Sequence, residues 1–174
     1  MTNRLTRRGV LGVAASATLA KPVLAAYPTQ PVRIVVPWNP RGPADIVIRA
    51  LGLAMAPALG QPVVVENRPG TNGAVGTQAV ARAAPDGHTL ILANAETHAI
   101  NPLIYPRLPY DAVADFRPIS LIVHAPIVLL VRPGLGVDDL ESFLAKVRER
   151  PGGFSYATWG IGSTSHLAME ALSR

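Results

Sequence analysis

The sequence predicts an α/β protein with a mostly parallel sheet and helices on both faces. Three observations predict it. Short β-branched runs alternate with segments of helical period. Pro/Gly turns separate them. The composition is 49% apolar, only 5% aromatic and rich in Ala, Val, Leu, Gly and Pro, which suits strands and helices packed in layers. The 174 residues suffice for one ordinary domain or for part of a two-lobed protein.

Each element follows in order. Val32-Arg33-Ile34-Val35-Val36-Pro37 reads as a buried strand ended by Pro. The loop Trp38-Asn39-Pro40-Arg41-Gly42-Pro43 leads to a helix from about Ala44, where Val47 or Ile48, Leu51, Met55 and Leu59 recur at helical spacing. Asp45 stands in its first turn, Pro57 is expected to bend or end it, and Gly60 terminates it. Pro62 to Glu66 is a second strand, closed by the turn Asn67-Arg68-Pro69-Gly70. A helix over Ala74 to Ala83, the turn Pro85-Asp86-Gly87 and a strand over His88 to Asn94 complete the alternation. An irregular stretch through Tyr105, Pro109, Tyr110 and Phe116 follows. Ile119 to Arg132 reads as two strand-like halves split near Ala125-Pro126. Asp138 to Arg150 is a helix with acids first and bases last, which matches the macrodipole. Phe154 to Thr158 is a further strand, and a last helix begins near Ser165 or His166. The pattern stops at Arg174 without a terminating signal, so the sequence is expected to lack its C-terminal part.

The first 26 residues read as an address. Arg4, Arg7 and Arg8 precede an uncharged apolar stretch from Gly9 to Ala20, too short to span a bilayer, which needs about 20 residues. Val23-Leu24-Ala25-Ala26 offers small residues for signal peptidase, and cleavage there leaves a mature chain from about Tyr27. Thr6-Arg7-Arg8-Gly9-Val10-Leu11 is similar to a twin-arginine signal, with Val10 where Phe is usual, and a general-secretion signal stands beside that reading. The mature chain has no segment that inserts in a membrane. The formal charge is +5, yet four of the 16 basic residues and none of the 11 acidic ones lie in this address. What remains is nearly neutral and has no basic stripe with interleaved aromatics, which argues against nucleic acid. Absence of cysteine excludes disulfides, thiolate metal sites, a cysteine nucleophile and a lipid-anchored N-terminus.

Three loops leave the carboxyl edge of the predicted sheet, where open α/β sheets bind ligands. The third, Trp159-Gly160-Ile161-Gly162-Ser163-Thr164-Ser165-His166, joins Gly160 and Gly162 to hydroxyls at a helix start. Free N–H groups there attract anions and the hydroxyls of Ser163, Thr164 and Ser165 add neutral donors. Capping of the helix by Ser163 is the alternative, and the two uses can coexist. In the first loop Gly42 permits close backbone approach, the N–H groups of Ala44 and Asp45 open a helix, and Pro43 offers no N–H. Arg41, next to Asn39 and Pro40, pairs with an anion or is simply solvated; Trp38 walls a pocket or covers the core edge. The second loop carries Asn94, Glu96, Thr97 and His98. Glu96 is expected to point away, because its carboxylate would repel an acidic ligand. Phosphate-loop, nucleotide-loop and Gly-x-Ser-x-Gly motifs are missing, and His88, His98, His124 and His166 are scattered, so neither a cofactor nor a metal is expected.

These blocks converge on a known family. Tyr27-Pro28, Pro31 to Pro37, Asp45-Ile46-Val47, Leu59 to Gly70, Ala81 to Gly87, Thr97 to Pro102, Leu108 to Asp111 and Gly162 to Ala168 resemble, in the right order, the substrate-binding receptors of tripartite tricarboxylate transporters. The resemblance implies a two-lobed fold of the periplasmic binding protein type (type II-like), with no enzymatic activity. It implies capture of a small carboxylate for membrane permease subunits. It places lobe one at residues 27–123, a crossover at 124–131 and the start of lobe two at 132–174. It carries ligand contact onto Trp38, Gly42, Asp45, Thr97, Ser163, Thr164 and Ser165. The first loop departs from the family's Gly-rich pattern and lacks its Thr, which leaves Arg41 to compensate. Two other readings stand against the receptor. One is an exported hydrolase built on Ser163, Ser165, His166 and Asp45. The other is a non-functional remnant.

Overall fold

The computed structural model describes residues 27–173; the address falls outside them. Three parallel strands form one sheet in the order β2-β1-β3: β1 Val32–Val36, β2 Val63–Asn67 and β3 Thr89–Ile91. Register pairs Ile34 with Val65 on one side and with Leu90 on the other. β1 sits in the middle and is buried on both faces, as its unbroken β-branched run requires.

Helix α1, Pro43–Leu59, packs against β1 and β2. Ile34, Val36 and Ile48 form the core there, with Leu51, Val63, Val65, Leu90 and Leu92 around them. Gly52 allows the close approach, since a Cβ would meet Val63 Cγ1 at 3.0 Å. The helix continues past Pro57 to Leu59, so Pro57 does not end it, and Gly60 closes it at φ 64°. Helix α2, Ala74–Ala81, packs against β1 and β3. Gly76 rides on the Arg68 carbonyl and on Pro37.

Beyond β3 the chain departs from expectation. Residues read as irregular form a π-helical turn, Glu96–Ile100, running into α3, Asn101–Ile104. Asn94 and Thr97 drive it: Asn94 Oδ1 accepts the Thr97 N–H at 3.1 Å, and Thr97 Oγ1 accepts the Asn94 N–H at 3.1 Å. The expected strand halves within Ile119 to Arg132, and the strand Phe154 to Thr158, are not formed; these residues are extended or irregular. A strand needs a neighbour to take its N–H and C=O groups, and among the described residues none pairs with them. Strand β3 also ends early, at Ile91. Helix α4, Leu140–Glu149, carries a capping box between Asp139 and Ser142. Helix α5, Thr164–Leu172, starts at the third loop.

Candidate functional site

Strand order 2-1-3 reverses the direction of winding between β1 and β3, so their carboxyl ends flank the switch point. The first and second loops leave from those ends, and the third packs against the second.

In the first loop Trp38 lies half-buried on the core cluster, so the covering role is the one observed. Asn39 is exposed, while Gly42 and Ala44 are half-buried. Arg41 turns the chain at φ 68°, and its N–H donates to Asp45 Oδ2 at 2.9 Å. Arg49 Nε donates to the same oxygen at 2.9 Å, and Arg49 Nη2 lies 2.9 Å from Oδ1 without the alignment of a hydrogen bond. Arg49 also reaches Asn67, which donates to the Trp38 carbonyl. Asp45 is 3% exposed, and its pKa is lowered to about 2 by the hydrogen bonds from Arg49 and then from the Arg41 N–H. The side chain of Asp45 therefore fastens the loop to its own helix.

The second loop turns its hydroxyl inward. Thr97 is fully buried, hydrogen-bonded to Asn94 and 2.8 Å from His98 Nδ1, and its carbonyl accepts from Tyr110 Oη at 2.6 Å. His98 stacks edge-on to Phe116 at 4.8 Å, and burial pushes its pKa down, favouring the neutral ring. Thr97 and Trp38 nevertheless converge on one point. A Cβ on Gly73 would meet Thr97 Cγ2 at 2.7 Å and Trp38 Cζ2 at 3.5 Å.

The third loop is a capped helix start. Ser163 Oγ accepts the His166 N–H at 3.2 Å, donates to the Gly160 carbonyl at 2.6 Å and lies 3.0 Å from Ser165 Oγ. Gly162 adopts φ 77° and its carbonyl accepts from Asn72 Nδ2 at 3.1 Å. Asn72 and Asn101 exchange hydrogen bonds of 2.8 and 2.9 Å, so this loop is docked on an amide pair whose Asn101 is fully buried.

Glu96 joins the second loop to the third, contrary to the expectation that it points away. Its Oε1 accepts from Thr164 Oγ1 at 2.7 Å, from the Thr164 N–H at 3.1 Å and from Trp159 Nε1 at 3.4 Å. Asn94 Nδ2 donates to Oε2. The N–H end of α5 attracts this carboxylate, and that attraction sets its direction. Asn72, Asn101 and Glu96 were missed as site residues. The Asn72-Gly73 pair, suited to positive φ, was the signal available for the first.

The hydrolase constellation does not assemble. Asp45 is engaged by Arg49, and Ser163 and Ser165 bond each other, while His166 Nδ1 accepts weakly from the Gly162 N–H at 3.4 Å. Among the described residues no cluster of His, Asp or Glu could hold a metal ion. Also among them, no hydrogen bond joins Arg41, Gly42 or Asp45 to the third loop.

Comparison with known proteins bears on this arrangement. Residues 47–174 match the model of the tripartite tricarboxylate transporter family receptor. Protein BugT of Bordetella pertussis is 38% identical over 164 residues, covering 92% of this chain and 50% of its own. Among solved structures, the periplasmic binding protein BugD is 38% identical at a TM-score of 0.73, covering 85% of this chain and 50% of its own. MatC from Rhodopseudomonas palustris, solved with bound malate, is 37% identical at a TM-score of 0.73, covering 84% of this chain and 51% of its own. The chain thus spans about half the length of the relatives it matches.

Proposed function

This chain belongs to the tripartite tricarboxylate transporter receptor family, and we propose that it captures a small carboxylate solute outside the cytoplasmic membrane for the permease subunits of such a transporter. One observation carries the reading. A carboxylate, that of Glu96, already rests on the Thr164 N–H, the Thr164 hydroxyl and the Trp159 indole at the start of α5. These donors converge on one carboxylate, which supports the reading. They are neutral, so no strong cation is required. The relative MatC holds malate, a dicarboxylate, which fits the same class of solute.

The proposed contact set is Trp38, Asn39, Arg41, Gly42, Ala44, Asp45, Thr97, His98, Gly162, Ser163, Thr164 and Ser165. Within it, Thr164 and the exposed Arg41 are the groups that can change partner without unpacking the fold. Thr97 and Asp45 act through the loops they hold. Family membership and the signal-like N-terminus support export. Among the described residues no helix is long and apolar enough to cross a membrane. A thermal-shift screen tests the reading. Binding stabilises the folded state by RT ln(1 + [L]/Kd), so one or more carboxylates in millimolar excess should raise Tm. A broad panel of mono-, di- and tricarboxylates without any shift would count against it.

A further inference from the structure

The segment Tyr27 to Thr29, which leads into β1, is held at one histidine. Tyr27 packs on His88 with ring centroids 5.0 Å apart, and its hydroxyl donates to the Gly87 carbonyl at 2.7 Å. The Thr29 N–H donates to His88 Nε2 at 3.2 Å. His88 is itself fixed to the sheet and the turn. Its carbonyl accepts the Arg33 N–H of β1 at 2.8 Å, and its own N–H donates to Asp86 Oδ1 at 2.9 Å. The imidazole is 11% exposed. A backbone N–H can only donate, so Nε2 must offer a lone pair, and the neutral ring keeps its proton on Nδ1. Nδ1 is buried 3.4 Å from Asp86 Oδ1, with no hydrogen-bond partner among the described residues.

We propose that His88 is a pH-operated switch for this segment: a proton and the Thr29 N–H compete for Nε2, and acidification releases residues 27–29 from the turn at 85–88. A protonated imidazole has two donors and no acceptor. Its Nε2–H then faces the Thr29 N–H, donor against donor, and that bond is lost. The other donor, Nδ1–H, faces Asp86. Hydrogen bonding from the His88 N–H holds the Asp86 carboxyl below its usual range, so it stays an anion and receives the charge. The other polar groups nearby are committed elsewhere. The Tyr27 phenol donates to Gly87, and the Arg33 guanidinium is directed to Glu66 and Thr89, with Arg68 also on Glu66. Thr29 is exposed, so water takes up its N–H on release. Histidine is the side chain whose charge changes between about pH 5 and 8. The segment is therefore docked at the upper end of that range and free at the lower.

NMR of the purified, isotope-labelled protein tests the proposal. At about pH 7.5 the ring correlations should show His88 protonated at Nδ1 and bare at Nε2. Amide exchange, corrected for its intrinsic pH dependence, should show Thr29 losing roughly five- to tenfold in protection between that pH and about pH 5, as for one net hydrogen bond. The amides of Ile34 and Val36 in β1 should keep their protection, which marks the release as local. In His88→Gln, whose side chain stays neutral, Thr29 protection should no longer depend on pH. A ring protonated at Nε2 near neutral pH, or Thr29 protection that does not fall in the parent, overturns the inference. So does a fall of equal size in His88→Gln, or one shared by Ile34 and Val36. The measurements on the parent need no variant and decide the matter if His88→Gln folds poorly.

Discussion

At Asp45, hydrogen bonds from Arg49 and from the Arg41 N–H favour the ionised carboxyl and lower its pKa from 3.8 to about 2. A group depressed in the folded state contributes stability that is present in full above the unfolded pKa and is lost as pH falls through the folded one. Asp45→Asn should therefore lower Tm at neutral pH, and the gap between parent and variant should close as pH falls from about 4 to about 2. Thermal unfolding followed across that range checks it; a gap independent of pH would mean that ionisation is not what matters. Asn101 makes a second residue-scale case. It is fully buried and bonds Asn72 twice, and its amide lies 3.4 Å from Tyr110 Oη. Asn101→Ala leaves those partners unsatisfied and should cost about 2 kcal/mol in denaturant unfolding. Neither role could be read from residue type. Asp45 was legible as a helix-start acid, but its partner Arg49 needed the helix to bring position i+4 alongside. The direction of Glu96 is set by the donors of a loop 68 residues away, which no local signal in the sequence reveals.

Helix α2 shows what an element demands of its sequence. A Cβ at Gly76 would meet the Arg68 carbonyl at 2.8 Å and Pro37 Cβ at 2.9 Å, and Pro37 is buried at the end of β1. Backbone cannot yield there as a flexible side chain would, so Gly76→Ala should destabilise by about 2–3 kcal/mol, measured by urea unfolding. A neutral substitution would show that α2 is free to lift from the sheet. The alternation of β1, α1, β2, α2 and β3 was legible because each signal is local: β-branched runs, helical spacing and Gly60 as a left-handed cap. Failure came where structure depends on a partner. Residues 119–132 and 154–158 have the composition of strands but pair with nothing among the described residues. The turn at Glu96–Ile100 was hidden for another reason, since a reciprocal Asn94–Thr97 pair, not an apolar period, sets it. Of the candidate site, the first and second loops were legible from the strands they follow, whereas the strand expected before the third is not formed and the union of the second and third was not legible.

Across the whole molecule, burial is uneven. The sheet and α1 hold the core, while Ile119, Leu121, Val128 and Leu130 are 69–83% exposed along one extended stretch. Such a strip of β-prone, uncharged residues binds apolar dyes and invites strand-to-strand association. The purified chain should bind ANS and associate as concentration rises. Leu121→Lys with Leu130→Lys should reduce both without lowering Tm, since neither side chain packs on the core; unchanged dye binding would place the sticky surface elsewhere. The first and second loops leave the carboxyl edge of the sheet, and the third packs on the second. The proposed function requires that a solute carboxylate engage the start of α5. The most direct measurement follows the backbone amides of Thr164, Ser165 and His166 by NMR during titration with succinate, beside a matched titration with the uncharged 1,4-butanediol. Saturable shifts of these amides, together with the Trp159 indole N–H, are expected for succinate alone. Shifts equal for both compounds, or confined to residues far from the three loops, would contradict it.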